Sequence, residues 1–209
     1  LRSFLFDRMA WSVSGGLLII SGAFGLFDRR ILLESGGFAT DSLGEDMELT
    51  VRLHGIHREA GTPYKIVFQP DPACWTEVPE STKVLGSQRN RWQRGTLQVL
   101  STHASMIGNP RHGAVGLFAM PYFFMFEAAS PLIEATGWIV NGVGLASGLL
   151  DIEFAQLFLL TAVAFGTLIS VTSVLLEEVS FRRYPRIRDL LMLAFVAVGV
   201  FVTWGLFAG

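Results

Sequence analysis

Hydrophobic and polar positions divide the chain into two unlike parts. Residues 1–110 mix short apolar runs with charged and turn-forming residues, whereas residues 113–209 are nearly all apolar. The first part therefore predicts a domain in contact with water, and the second predicts segments that lie in a membrane. Gly108, Asn109 and Pro110 mark the predicted boundary, because this combination of residues ends helices and forms turns.

Within the first part, the pattern predicts strands alternating with helices. Residues 11–33 are typical of two short apolar strands around a Gly-rich turn, followed by a short helix. A longer helix is predicted to begin near Glu45 and to end at Gly61, and residues 64–68 are predicted to form another strand. A further helix is predicted over residues 82–105. The expected fold class of this part is therefore α/β.

The apolar part predicts three membrane crossings. Residues 154–176 and 190–209 contain 23 and 20 residues without a charge, enough for a helix to span a bilayer. Between them lies a basic loop, which is expected to be cytoplasmic because of Arg182, Arg183, Arg186 and Arg188. If the first part is also cytoplasmic, residues 113–150 must cross once. We therefore predict a tilted or interfacial lead-in from about 113 and helices at about 116–148, 154–176 and 190–208.

Two carboxylates, Glu127 and Glu134, interrupt the first apolar block. They are seven residues apart and share one face of a helix. A carboxylate that faces lipid is costly, so both are expected to face protein, water or the headgroups. A polar lining for a polymer path and a helix boundary near the membrane surface both explain them.

Composition excludes some classes of site and partner. Cys74 is the only cysteine, which excludes an internal disulfide and a cysteine-based metal site. The net charge of −2 averages two unlike parts and gives no indication of nucleic acid binding. Residues 1–3 read Leu-Arg-Ser, without an initiator Met or a signal-peptide pattern. We therefore expect the chain to begin inside a longer protein.

Glu45 and Asp46 form an acidic pair that has two interpretations. Acidic side chains in the first turn of a helix are stabilised by the helix dipole, whatever their chemistry. A carboxylate preceded by Gly44 can also approach a sugar closely and act as a general base. Upstream, Ser21 and Gly22 belong to a turn without large side chains, which favours either close approach to a ligand or tight core packing.

The sequence from Gln88 to Trp92 offers the strongest candidate chemistry. On a helix, Gln88, Arg91 and Trp92 share one face, and Arg89 is three residues before Trp92. Guanidinium groups pair with phosphate oxygens, and an indole ring stacks on a sugar. Arg94 adds positive charge. The same pattern is typical of a basic amphipathic helix on anionic lipid, and an active site at a membrane surface needs both properties.

Together these residues resemble the membrane-integrated glycosyltransferase family 2, which includes cellulose, chitin, hyaluronan and poly-N-acetylglucosamine synthases. The family's Glu-Asp pair is matched by Glu45 and Asp46, and its Gln-x-x-Arg-Trp motif by Gln88, Arg91 and Trp92. The resemblance implies a GT-A-type catalytic domain, of which residues 1–110 are the C-terminal half, followed by transmembrane helices over 113–209. It also implies a multi-pass protein of the inner or plasma membrane, with its catalytic part in the cytoplasm.

The resemblance further implies roles for individual residues. Asp46, with Glu45 beside it, is the expected general base; Gln88, Arg89 and Arg91 are expected to hold the diphosphate of a nucleotide sugar, usually a UDP-sugar. Trp92 is expected to stack near the acceptor, close to Ser21 and Gly22. A divalent cation, Mg or Mn, is expected in the full-length enzyme, with its ligands outside this chain, so that the chain alone is not expected to turn over.

The implied reaction transfers a sugar, with inversion, to a growing polysaccharide. Transfer of a single sugar to a lipid carrier is an alternative, as is a membrane channel or transport subunit without enzymatic activity. A copy that keeps the fold but has lost catalysis is a third. The expected partners are the donor, a glycan or lipid acceptor and the bilayer, while the sugar and any protein partner stay open.

Overall fold

Helices form the regular structure of the chain. The computed structural model describes residues 4–20, 22–71, 74, 77, 81–181 and 188. In chain order its helices are α1 (Phe4–Ser14), α2 (Arg29–Glu34), α3 (Glu45–Ala60), α4 (Thr82–Thr102), α5 (Val115–Ala128), α6 (Ser130–Ala146) and α7 (Ile152–Phe181). Two 3₁₀ turns, Ala104–Met106 and Pro110–His112, lie between α4 and α5.

These residues separate into two compact units. Residues Arg8–Ala129 form one unit, and the other described residues, including α6 and α7, belong to the second. The candidate catalytic residues all come from the first unit. The division into a catalytic part over residues 1–110 and a membrane region over residues 113–209 stays a prediction.

The core of the first unit is built by α3, the C-terminal part of α4 and one face of α5. Burial of aliphatic side chains supplies the driving force for this packing. Its buried apolar residues are Leu18, Met47, Val51, Val99, Leu100, Met106, Val115, Ala119, Met120, Phe123 and Ala128. The beginning of α3 and the middle of α4 are thereby held at the same edge of the core.

Helix α3 begins and ends where its sequence predicts. Gly44 precedes it, and three acidic residues in its first turn, Glu45, Asp46 and Glu48, interact favourably with the helix dipole. Gly61 follows its last turn with a φ of 65°, a left-handed conformation that glycine adopts readily. The predicted start near Glu45 and end at Gly61 are confirmed.

Helix α4 also follows the prediction closely. Ser81 caps it, and its side-chain oxygen accepts a hydrogen bond from the Val84 backbone N–H at 3.3 Å. The helix ends at Thr102 rather than at residue 105, because His103 caps its C-terminus before the first 3₁₀ turn begins.

The predicted strands are wrong for the residues that the structure describes, which contain no β-strand. Trp11 lies in α1, and residues 16–20 and 64–68 are extended but unpaired by any ladder. Their polar groups bond elsewhere: the Leu17 carbonyl accepts from His54, and the Phe68 N–H donates to Ser12 Oγ at 2.9 Å. A strand needs a neighbour as well as an alternating pattern, and neither segment has one here. The short helix predicted before residue 33 is confirmed as α2.

One described helix, α7, is long and apolar enough to cross a membrane, over Ile152–Ser173. Helices α5 and α6 together pass the same test across a break at Ala129, either as one broken span or as a re-entrant loop. Helix α5 contains two π-helical stretches and exposes a set of large apolar side chains: Leu117, Phe118, Phe124, Met125 and Phe126. The crossing predicted at 190–208 lies outside the described residues. The membrane topology stays a prediction.

Candidate active site

Asp46 lies in the first turn of α3 with its side chain partly buried. Burial raises the pKa of this carboxyl, and the neighbouring charge of Glu45 acts in the same direction. Both outweigh the opposing effects of Arg8 and of the Met47 backbone N–H, which donates to Asp46 Oδ1 at 2.8 Å. A carboxylate with a raised pKa has a stronger affinity for a proton than an ordinary Asp. It is therefore suited to removing one from a hydroxyl.

A cavity of about 400 Å³ opens beside this carboxylate. Gly22 approaches so closely that a Cβ at that position would lie 3.4 Å from Asp46 Oδ2. The structure therefore brings together two parts of the predicted site, although Ser21 itself lies outside the described residues. Arg29, Glu45 and Asp46 are the charged residues of the lining. Its large apolar residues are Ile20, Leu26, Phe27, Leu32 and Phe38.

Gln98 of α4 fixes the loop that leads to Asp46. The Leu43 backbone N–H donates to Gln98 Oε1 at 3.0 Å, and Gln98 Nε2 donates to the Asp41 carbonyl at 3.0 Å. One amide thus satisfies a donor and an acceptor of the same loop, as a second strand would do. Gln98 was not predicted from the sequence, because a polar side chain on a helix carries no local signal of a partner 55 residues away.

The same loop contacts α4 directly through two glycines. A Cβ added to Gly95 would lie 3.0 Å from the Gly44 backbone nitrogen and 3.2 Å from its Cα. The loop backbone and the helix backbone therefore meet with no side chain between them. Gly95, like Gln98, was not among the predicted site residues, yet both join the predicted acidic pair to the helix that carries the predicted cations.

The predicted donor-binding residues of α4 do not all point to one place. Arg91 lines a second cavity of about 400 Å³ together with Leu43, whereas Gln88, Arg89 and Trp92 are not part of that lining. The Arg89 guanidinium instead lies over the Trp92 ring, 5.8 Å from its centroid, in cation–π contact. Trp92 is 53% exposed, so its side chain is accessible to another group.

Arg52 connects α3 to the segment that precedes Phe38, a residue lining the Asp46 cavity. Its guanidinium pairs with Glu48, with Nε 2.9 Å from Oε1, and donates to the backbone carbonyls of Ser35 and Gly37. The pair is largely buried, and Gly37 immediately precedes Phe38 of the cavity lining. Arg52 therefore holds the connection between α2 and α3 in place.

His54 is a buried polar residue of the core. Its Nε2 donates to the Leu17 carbonyl at 2.9 Å, so Nδ1 accepts from the Tyr64 hydroxyl, 2.6 Å away. Burial lowers the pKa of His54 to about 4, which keeps the imidazole neutral at physiological pH. The side chain links residue 17 of the extended segment to α3.

The divalent cation that the resemblance implies does not fit the described residues. They contain no group of three or more His, Cys, Asp or Glu side chains that could hold a metal ion. The two carboxylates of the candidate site, Glu45 and Asp46, have no third ligand of this kind beside them. The chemistry below is therefore derived from the side chains of this chain alone.

Comparison with known proteins gives a consistent family. A sequence profile of the family described as "Glycosyl transferase family group 2" matches residues 2–207. The poly-beta-1,6-N-acetyl-D-glucosamine synthase of Staphylococcus epidermidis is 36% identical over 93 residues, which is 44% of this chain and 21% of the relative. The synthase of the same name from Staphylococcus aureus is 34% identical over the same shares.

The chain thus spans about one fifth of the length of these curated relatives. No solved structure matches it. The profile, in contrast, extends over nearly the whole chain, from the residues before α1 to those after α7. This chain belongs to glycosyl transferase family group 2.

Proposed function

We propose that this chain is part of a membrane-bound, inverting glycosyltransferase that extends a polysaccharide from a nucleotide-diphosphate sugar, with a UDP-sugar as the expected donor. Membership of the family supports glycosyl transfer, and the two staphylococcal relatives, named as poly-beta-1,6-N-acetyl-D-glucosamine synthases, support a polymeric product. The family resemblance also implies a GT-A-type domain.

The observation that carries the proposal is the environment of Asp46. Its carboxylate has a raised pKa, borders a cavity and faces a glycine that leaves room for a ligand. In the proposed step, Asp46 accepts the proton of an acceptor hydroxyl while that oxygen attacks the anomeric carbon of the donor. The bond from the anomeric carbon to the phosphate oxygen breaks, and the nucleoside diphosphate leaves with the bonding electron pair. Attack opposite the leaving group inverts the anomeric configuration.

The remaining roles belong to α4. The Arg91 guanidinium is proposed to bind the diphosphate and to stabilise the charge that develops on the leaving group. The roles that the resemblance implies for Gln88 and Arg89 at the same diphosphate stay predictions, because both residues lie outside the lining of the Arg91 cavity. Trp92 offers an accessible aromatic side chain on which an acceptor sugar can stack. The contacts of Gln98 and Gly95 with the loop before Asp46 support a shared site for base and cations.

The proposed location at a membrane rests on the apolar helices. Helix α7 is long enough to cross a bilayer, and α5 presents exposed aromatic side chains of the kind that accumulate at membrane surfaces. We propose that the catalytic unit lies against the cytoplasmic face of the inner or plasma membrane, where the donor is available and the product can leave through the bilayer.

The test uses membranes from cells that express the full-length gene product. Incorporation of radiolabelled sugar from UDP-sugars is compared between the wild type and Asp46→Asn, with the product sized on a gel. We expect a long product from the wild type and a loss of kcat of about 10²- to 10⁴-fold in the variant, the usual contribution of a general base.

Asp41→Asn is the matched control, because Asp41 is an exposed acid of the same loop and its side chain lies outside the cavity lining. It should retain the wild-type rate. Equal incorporation by Asp46→Asn and the wild type would remove Asp46 from the role of base. A product one sugar long would replace polymer extension with single transfer to a lipid carrier.

A further inference from the structure

The cavity beside α4 has a lining that suits an anion. It is formed by Leu43, Gly86, Ser87, Asn90, Arg91 and Arg94, and its volume is about 400 Å³. Two of the six residues are cationic and none is acidic. Ser87 and Asn90 add a hydroxyl and an amide, both able to donate hydrogen bonds. A Cβ at Gly86 would meet nothing within 4 Å, so the wall is open at that point.

The positive charge of this cavity is not neutralised within the described part of the chain. The ion pairs found there join Arg30 to Glu34, and Arg52 and His103 to Glu48. Arg91 and Arg94 take part in none of them. Like charges three residues apart on a helix destabilise it slightly. An anionic ligand between the two guanidinium groups would reverse that effect.

Helix geometry places Arg91 and Arg94 on one side of α4 and Arg89 on another. Residues in a helix are rotated by about 100° each, so Arg94 lies about 60° from Arg91, while Arg89 lies about 160° from it. Arg89 is, moreover, in contact with the Trp92 ring. The partner of Arg91 in this cavity is therefore Arg94, which lies three residues after Arg91 and outside the Gln-x-x-Arg-Trp motif.

We propose that Arg94 and Arg91 together bind the diphosphate of the nucleotide-sugar donor, with Ser87 and Asn90 as additional hydrogen-bond donors. This inference rests on the proposed function and assigns Arg94 a binding role in it. Two forked guanidinium groups can each offer paired N–H donors to the oxygens of a diphosphate. Arg94 is a binding residue in this assignment and takes no part in proton transfer.

The position of the cavity along the chain fits this assignment. Leu43 belongs to its lining, and Glu45, two residues later, belongs to the lining of the Asp46 cavity. Consecutive Cα atoms are about 3.8 Å apart, so the two linings approach within about 8 Å of each other along the backbone. A diphosphate at Arg91 and Arg94 would therefore be near enough for its sugar to reach the acceptor side.

The test compares the wild type with Arg94→Ala and Arg94→Lys in the full-length protein, purified in detergent. Binding of UDP and of inorganic pyrophosphate is measured by titration calorimetry, and donor KM and kcat are measured by sugar incorporation. We expect Arg94→Ala to weaken both ligands and raise donor KM about tenfold or more, with kcat within about twofold, because a contact present before and during transfer changes KM alone. Arg94→Lys should recover part of the affinity.

Arg111→Ala removes an equal charge from an exposed position outside both cavity linings and should match the wild type. Unchanged affinity and KM in Arg94→Ala, in a protein that incorporates sugar, would overturn the Arg94 site and leave the proposed function standing. A wild type that incorporates no sugar would refute the proposed function itself. Arg94→Ala that binds pyrophosphate normally but loses binding to phosphatidylglycerol vesicles would overturn the donor site in favour of a lipid phosphate.

Discussion

Helices α3 and α4 supply the two halves of the candidate site, but they are supported very differently. Asp46, the proposed base, lies at the start of a helix whose next residues are nearly all buried: Met47, Glu48, Leu49, Thr50, Val51, Leu53 and His54. In α4, no residue from 82 to 94 is buried, and Gly95, Val99 and Leu100 fasten only its C-terminal part. The core therefore fixes the position of Asp46, whereas Arg89, Arg91 and Arg94 lie on the exposed N-terminal part of α4.

This difference indicates separate tasks. A proton acceptor must be held within a few tenths of an ångström of its substrate, and the packed start of α3 provides that. Cations that bind a flexible, charged ligand gain from long side chains that adjust to it. Changes near α3 should therefore act mainly on kcat and stability, and changes on the exposed part of α4 mainly on ligand affinity.

The largest expected effect separates activity from stability at Asp46. Because burial raises its pKa, the folded protein binds this proton more tightly than the unfolded chain does, so the ionised carboxylate lowers stability above the folded pKa. That loss is absent below the ordinary Asp value of 3.8. Asp46→Asn should therefore lose activity while its Tm at pH 7 is equal to or above that of the wild type.

The pH profile checks the same point. Since the base must be ionised, kcat should fall on the acid side at a pH above the ordinary Asp range. Thermal unfolding and initial rates from pH 4 to 8 measure both quantities. A lower Tm in Asp46→Asn would mean that the carboxylate stabilises the fold, contrary to the comparison.

The next effect concerns His54, a buried residue of α3. His54 has its pKa lowered from 6.5 to about 4, so between these values the unfolded chain binds the proton and the folded protein does not. Stability is fully present above pH 6.5 and falls as the pH drops towards 4, by on the order of 3 kcal/mol at most. Thermal unfolding at pH 7.5, 6 and 5 measures the slope. It should be flatter in His54→Gln, and an equal slope in His54→Gln and the wild type would contradict this assignment.

A smaller effect tests the contact between the two helices. Gly95→Ala places a methyl group about 3 Å from the Gly44 backbone, which cannot rotate away, and should destabilise the protein by about 1–3 kcal/mol while slowing turnover. Gly55→Ala is its matched control on α3. Its Cβ would meet only the flexible Met106 side chain, with the sulfur at 3.5 Å and the terminal carbon at 3.9 Å, and alanine favours a helix by up to about 1 kcal/mol. Equal Tm changes in the two variants would show that the Gly44 contact is not tight.

The smallest effect isolates the loop before Asp46. Gln98→Ala removes two hydrogen bonds, worth about 1–2 kcal/mol together, and should lower kcat several-fold with little change in donor KM. Gln93→Ala is the control, since Gln93 bonds to the Ala128 carbonyl at 2.8 Å and not to the loop. It should lose similar stability and keep kcat. A rise in donor KM alone for Gln98→Ala would place its role with the cations instead.

The helices of the site were predictable because their signals are local. Ser81 caps α4, Gly61 ends α3, and each acts within one turn of its own position. The strands over residues 11–33 and 64–68 were predicted wrongly, since pairing depends on a neighbour that a local pattern does not specify. Trp11 illustrates the error: its apolar neighbours suit a strand equally well, yet it packs from α1 against Tyr122 and Phe123.

The residues of the candidate site also fall into those that local sequence signals predict and those that only the fold reveals. Glu45, Asp46, Arg91 and Trp92 were predicted from residue type and motif spacing, and Gly22 from its lack of a side chain; the roles of these residues stay predictions. Gln98 could not be found, because an amide on a helix gives no sign of which loop it will bond. Arg94 was recognised only as added charge, and the cavity that it shares with Arg91 depends on how Leu43 is placed by the fold.

The contact between Gly44 and Gly95 also has a mechanical consequence. Side chains at a crossing between elements can change rotamer and absorb small displacements, but two backbones in van der Waals contact cannot. If α4 tilts on ligand binding, the residues before Asp46 would therefore move with it. We expect donor binding to α4 to shift Asp46, the proposed base, so that proton acceptance depends on whether a donor is bound.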